Sequence, residues 1–168
     1  MKNHFELFGL TPAYALDTES LERSYREIQS RIHPDRYAHA GDAERRASMQ
    51  WTTRVNEAYR TLKSPVQRAK YLLEMNGVDV QFETNTQMPS AFLLQQLELR
   101  EALAGAKQPA ALDALLAEVR QQQRLHEDAL VQLIDARKDH AAAASEVRKL
   151  MFLDKLAAQI DLAYDGVE

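Results

Sequence analysis

Apolar residues recur at steps of three and four through most of this 168-residue chain, and only five glycines and five prolines interrupt them. That spacing is the turn of an α-helix, so an all-α fold is predicted. Asn3 is placed to cap a short first helix through Phe5, Leu7 and Phe8, closed near Gly9. Asp17, with Glu19 in the first turn behind it, caps a second helix whose Leu21, Tyr25, Ile28 and Ile32 step by 4, 3 and 4 onto one stripe. This helix must end at about His33, because Pro34 disfavours helical backbone in the residue before it. A polar loop, His33 to Gly41, follows. Asp42 then caps a third helix with the stripe Ala47, Trp51, Val55, Ala58 and Leu62. Ser64-Pro65 opens a fourth through Val66, Ala69, Leu72 and Leu73, with Gly77 just past its end. Helices two and three, similar in length and joined by a short loop, are expected to pair antiparallel.

Residues 78–88 lack sustained periodicity and read as a linker between a first domain, 1–77, and a second, 89–168. The second should hold three helices, at about 89–104, 109–139 and 142–164. In the middle one, Leu112, Leu116, Val119, Gln123, His126, Leu130 and Leu133 alternate steps of 4 and 3, and in the last so do Leu150, Leu153, Ala157, Ile160 and Tyr164. Such stripes on antiparallel helices predict a three-helix, coiled-coil-like bundle. Charge divides along the same line: residues 1–77 hold 12 Lys+Arg against 10 Asp+Glu, whereas 78–168 hold 9 against 15. Two modules with different partners are implied.

Composition excludes several classes of function. At 45% hydrophobic and 27% charged the chain is globular. Neither half is basic enough for a nucleic-acid binder. No stretch approaches the roughly 18 apolar residues of a membrane span. The first residues lack an apolar signal core, so export is not expected and a cytoplasmic protein is. Without cysteine there is no thiolate nucleophile and no cysteine-held zinc or iron–sulfur cluster. The five histidines lack paired ligand spacing, and His126, within a helical stripe, reads as a core histidine. No Gly-rich phosphate loop or nucleophile elbow occurs. No catalytic residue, metal or cofactor is therefore assigned.

The tripeptide His33-Pro34-Asp35 stands out against this background. Average residue usage gives such a tripeptide about once in a hundred chains of this length. Taken alone, it could be a helix stop with a turn-capping aspartate. Here it sits on the loop between paired helices, with Tyr25 upstream and Arg36 directly after. Proline fixes the backbone, while His33 and Asp35 supply a ring nitrogen and a charged acceptor, so the loop would be a rigid polar knuckle. Arg23 and Arg26 lie about 60° apart on the solvent side of the preceding helix and would steer an acidic partner surface. The arrangement resembles the J domain. That resemblance implies that His33, Pro34, Asp35 and Arg36, with Tyr25, Arg23 and Arg26, contact the ATPase domain of a heat-shock chaperone.

The first helix of the second module has two apolar faces. Phe92, Leu99 and Leu103 fall within about 40° and make a core stripe, whereas Leu93, Leu94 and Leu97 lie about 100–200° round, bordered by Glu98 and Glu101. On the last helix, Phe152 stands about 110° off its core stripe. Spacing leaves two readings open: the second face packs against the first module or the other bundle helices, or it is an exposed patch for a client. Leu97-Glu98-Leu99-Arg100-Glu101 and Arg148-Lys149-Leu150-Met151-Phe152-Leu153-Asp154-Lys155-Leu156 resemble the C-terminal domain of the HscB family. So do Phe5-Glu6-Leu7-Phe8-Gly9-Leu10 and Arg68-Ala69-Lys70-Tyr71-Leu72-Leu73 in the first module.

The resemblance implies a co-chaperone of iron–sulfur cluster assembly. Its bundle would bind the scaffold protein IscU through Leu93, Leu94, Leu97, Glu98, Glu101 and Phe152, and its J domain would stimulate ATP hydrolysis by the chaperone HscA. Ala104-Gly105 stands where relatives extend the acidic edge by a turn, so that edge should be shorter here. Eukaryotic relatives carry a cysteine-bearing zinc segment ahead of the J domain; its absence points to a bacterial type. A J protein serving a different client, or a catalytically silent helical interaction protein, are the alternatives.

Overall fold

The computed structural model describes residues 2–80 and 88–167. Helix is the only regular structure among them: α1 (His4–Leu7), α2 (Thr18–Ile32), α3 (Asp42–Lys63), α4 (Pro65–Met75), α5 (Ser90–Gly105), α6 (Pro109–Leu130) and α7 (His140–Ala163). The all-α expectation therefore holds. The chain divides into two compact units, residues 1–72 and 73–168, a boundary inside α4 where the sequence suggested one after Gly77. Of the expected linker, 81–87 lie outside the described residues. Val80, just before them, is fully buried, and its carbonyl accepts a 2.8 Å bond from Arg148 of α7.

In the first unit, local signals set the helix ends. Asn3 and Glu6 exchange side chain-to-backbone bonds in a capping box, and Asp17 accepts from the Glu19 and Ser20 amides at the start of α2. Ser64 accepts from the Gln67 amide at 3.2 Å, with Pro65 in the first helical position of α4. Glu22 meets Tyr59, Tyr25 meets Asn56 and Ile32 meets Ser48, so partner numbers fall along α3 as they rise along α2: the pair is antiparallel. Phe5, Phe8, Leu21, Val55, Ala58, Leu62, Val66 and Ala69 fill the space beneath it. The buried guanidinium of Arg68 lies over the Tyr14 ring and donates to the carbonyls of Tyr14 and Leu62, both at 2.7 Å. These bonds offset the desolvation of a charge that would otherwise cost several kcal/mol.

Two expectations for α3 need correction. Asp42 is its first helical residue, not its cap; Gly41 holds the cap position without a side-chain bond. Ala47 and Trp51 are exposed, and the inward row is Ser48, Val55 and Leu62. Steps of four advance by about 400°, so Ala47, Trp51 and Val55 drift around the helix by about 40° each time. Steps of seven nearly close two turns and keep Ser48, Val55 and Leu62 together.

In the second unit, Asp113 meets Tyr164, Gln123 meets Asp154 and His126 meets Glu146, which makes α6 and α7 antiparallel. Phe92 of α5 lies against His126, and Arg100 bonds Gln159 at 2.8 Å. α5 therefore runs against α6 and alongside α7. The core is Phe92, Leu99, Leu112, Leu115, Val119, Leu130, Val147, Leu150, Leu153, Leu156 and Ile160. Leu115 replaces Leu116 in the fully covered row, and Gln96, Gln122 and Gln123 are buried among these residues. The expected single helix to 139 instead changes to π-helical winding over Val131–Ala136. Lys138 then takes a left-handed backbone (φ 55°), and Asp139 caps α7 by accepting from the Ala142 amide.

Candidate functional site

The His33–Asp35 loop is a turn of 3-10 helix, Pro34–Tyr37, set on the carbonyl end of α2. A helix end leaves its last carbonyls without intrahelical partners. Three side chains from beyond the helix take them here. Arg36 Nη1 donates to Ser30 O at 2.9 Å, Tyr37 Oη to Arg31 O at 3.2 Å, and Ser48 Oγ of α3 to Ile32 O at 2.6 Å. Within the turn, the Asp35 amide donates to His33 Nδ1 at 3.1 Å, and the Arg36 amide to His33 O at 3.0 Å. With Nδ1 accepting, the neutral ring carries its proton on Nε2. The Asp35 carboxylate is 92% exposed and stands 3.6 Å from His33 Nδ1. The loop is thus pinned from behind, with its two functional groups facing water.

The expected chaperone-facing residues separate into three kinds. His33 and Asp35 are presented outward by the turn. Arg36 is exposed, but its guanidinium also holds the turn to α2. Tyr25 belongs to the seam of the helix pair: its ring stacks on Tyr59 at 3.8 Å, and its hydroxyl donates to Asn56 at 2.7 Å and accepts from Gln29 at 2.8 Å. Arg23 and Arg26 are exposed, and among the described residues neither has a carboxylate within ion-pair distance, whereas Arg31 pairs with Glu27 at 2.7 Å. A shallow depression beside Arg23 and Arg26 also includes Lys63 of α3, which the sequence reading did not group with them.

On the second unit, α5 turns Phe92, Gln96 and Leu99 inward. Leu93, Leu94 and Leu97 are 48%, 58% and 55% exposed, so within the bundle these leucines face solvent. Glu98 and Glu101 are exposed beside them. Phe152 is half-buried. It lies about 20° round α7 from Gln159, the residue that meets Arg100, and by that register it is about level with Leu93. The sequence reading missed how α5 is seated. Neither amide atom of buried Gln96 has a hydrogen-bond partner among the described residues, and Gln122 Oε1 is also unpartnered.

Beside this seat, Glu146 of α7 is bonded by His126 and, at 3.1 Å, by Lys149. Burial pushes the Glu146 carboxyl up, but the bonds from His126 and Lys149 outweigh it and hold the group below the usual carboxylate range. Partial desolvation raises the Asp154 carboxyl from its ordinary value despite its bond from Gln123. Among the described residues no group of three or more His, Cys, Asp or Glu side chains could hold a metal ion, and no helix is long and apolar enough to cross a membrane.

Comparison with known proteins covers both units. Residues 3–71 match the DnaJ domain family, and residues 88–161 match the family described as the HSCB C-terminal oligomerisation domain. The co-chaperone protein HscB homolog of Ralstonia nicotianae is 52% identical over 168 residues, 98% of this chain and 96% of that protein. Its Burkholderia vietnamiensis counterpart is 48% identical, over 99% and 96%. Among solved structures, chaperone HscB from Vibrio cholerae gives a TM-score of 0.87 at 36% identity, covering 99% of this chain and 100% of that one. Human co-chaperone HscB gives 0.92 at 27% identity, covering 97% and 82%.

Proposed function

The chain belongs to the HscB co-chaperone family, and from that membership we propose that it docks an IscU-type iron–sulfur cluster scaffold on α5 and delivers it to an HscA-type chaperone ATPase in the cytoplasm. The observation that carries the reading is the solvent-facing row Leu93, Leu94 and Leu97 on a helix that already buries a second apolar side. Burying a leucine on docking contributes about 1.5–3 kcal/mol, so three together suit a partner surface of matching shape. Glu98 and Glu101 at the edge favour a partner with basic residues facing them.

The ATPase would be engaged by the His33–Asp35 turn, whose pinned backbone leaves little ordering to be lost on contact. Arg23 and Arg26 would speed encounter with an acidic surface, an effect that salt screens. The bond-making in ATP hydrolysis belongs to the chaperone, and the cluster to the scaffold. This chain brings them together and raises the scaffold's effective concentration at the chaperone. Steady-state ATPase measurement tests the reading: the protein should raise HscA turnover, further with scaffold present, and Asp35→Asn should abolish the rise while leaving scaffold affinity and helical content unchanged. No stimulation by the wild type would overturn it.

A further inference from the structure

A groove runs along the flank of α5 opposite Arg100. Phe92, Leu94, Gln95 and Glu98 form one side, and His126 and Lys149 close the other. Only Leu94 belongs to both this groove and the exposed leucine row, so the groove widens that face sideways.

Its far wall is built from charges that are mostly out of water. The side chains of His126, Glu146 and Lys149 are 21%, 17% and 16% exposed. Glu146 spends one carboxylate oxygen on His126 Nδ1 and the other on Lys149 Nζ. A carboxylate only accepts, so His126 donates to it from Nδ1, and in that tautomer of the neutral ring Nε2 is left as an acceptor. Among the described residues nothing donates to that nitrogen. Phe92 stands edge-on to the ring, 6.0 Å between centroids at 82°, and fixes its orientation. Lys149 is neutralised by Glu146. Glu98, exposed and without an ion-pair partner among the described residues, leaves a net negative charge at the mouth.

An apolar strip along Phe92 and Leu94, an acceptor nitrogen across from it and a carboxylate at the rim suit one kind of occupant: a long aliphatic stem ending in a cation. We propose that this groove takes a lysine or arginine side chain of the scaffold protein docked on α5, its stem along Phe92 and Leu94 and its head between Glu98 and His126 Nε2. The inference rests on the docking function proposed for Leu93, Leu94 and Leu97. It makes His126 a specificity-determining residue, chosen to accept from a partner's donor.

Calorimetric titration of the full chain with the purified scaffold tests it, using His126→Leu, Ala91→Trp and Leu97→Ala, together with scaffold variants in which surface lysines and arginines are changed one at a time to methionine. Ala91 is an exposed lining residue of the groove, so tryptophan there fills the space without removing any bond of the His126–Glu146–Lys149 group. Both groove variants should weaken binding about ten-fold, and one scaffold cation should matter clearly less beside His126→Leu than in the wild type, the signature of direct coupling. If Leu97→Ala weakens binding but Ala91→Trp does not, the groove is empty in the complex: the inference falls and the docking face stands. If both groove variants weaken binding but no scaffold cation couples to His126, the occupant is not basic and the inference is again overturned. If Leu97→Ala binds as the wild type, the docking function itself fails and takes the groove with it.

Discussion

The turn at His33 and the outer face of α5 are both exposed, but they are held in place by different physics. At the turn, hydrogen bonds do the holding: the carbonyls of Ser30, Arg31 and Ile32 are each taken by a side chain from outside α2. On α5, among the described residues, no side chain from another element is bonded to the leucines, and the helix is located mainly by its buried residues Phe92, Gln96 and Leu99, with the Arg100–Gln159 bond beside them. The difference matches the contacts each can make. A polar contact depends on angle and distance, so its donor and acceptor must be preset. An apolar contact is non-directional and depends on area and shape, so an α-helix placed at the right height suffices. The bundle even tolerates an imperfect seat, with both amide atoms of Gln96 unpartnered among the described residues.

The largest effect should come from breaking the apolar side of this comparison. Leu94→Ala with Leu97→Ala should cost about 3 kcal/mol of scaffold affinity, more than a hundred-fold, if both are hot spots. Because both side chains are more than half exposed, the bundle's melting temperature should hardly move. A marked fall in melting temperature with affinity unchanged would show the leucines to be packed, not presented.

The polar side is sharpened by Ser48→Ala, a residue distant in sequence from the His-Pro-Asp tripeptide. It removes the 2.6 Å bond, partly buried, from Ser48 to the Ile32 carbonyl. A buried acceptor left unmade costs about 1–3 kcal/mol, but Thr52 Oγ1, 3.5 Å from the same oxygen, can move in, so the loss should fall near the lower end. Chemical denaturation should show that loss in the first unit, and ATPase stimulation should fall with scaffold affinity unchanged. Stimulation equal to the wild type would mean that α2's end does not need this anchor.

The smallest effect is pH-dependent and tests the seat of α5. Glu146→Gln should lower stability by about 1.5 kcal/mol at neutral pH, the low end for a hydrogen bond to a charged group, because burial opposes it. Since the carboxyl titrates lower in the folded protein than the ordinary value of 4.5, the stability it adds is present in full above that value. It disappears as pH falls through the lower, folded value. Denaturation curves of the two proteins should therefore converge in acid. A gap that persists there would place the effect in packing, not charge.

Much of this was legible in advance. Asn3, Asp17 and Ser64 announced their helices, because a cap acts within three residues. Pro34 announced the end of α2. Leu93, Leu94 and Leu97 were separable from Phe92 and Leu99 by angle alone, which is a property of one helix. The errors came where angle was judged by the wrong residues. An apolar stripe through Ala47, Trp51 and Val55 passes over polar Ser48, yet Ser48 and Gln96 are buried and Trp51 is 46% exposed. What α2 alone does not show is that Tyr25, on its inner stripe, stacks on Tyr59 of the other helix.

The sequence by itself determined the helices, most of their starts, the turn residues and the existence of a second apolar face, since each depends on interactions spanning a few residues of one chain segment. The tertiary structure alone decided which way that face points, what pins the turn from behind, and that His126, Glu146 and Lys149 meet beside α5. Those depend on side chains from different helices arriving within a few ångströms of one another, and the helical period of one segment carries no record of its neighbour.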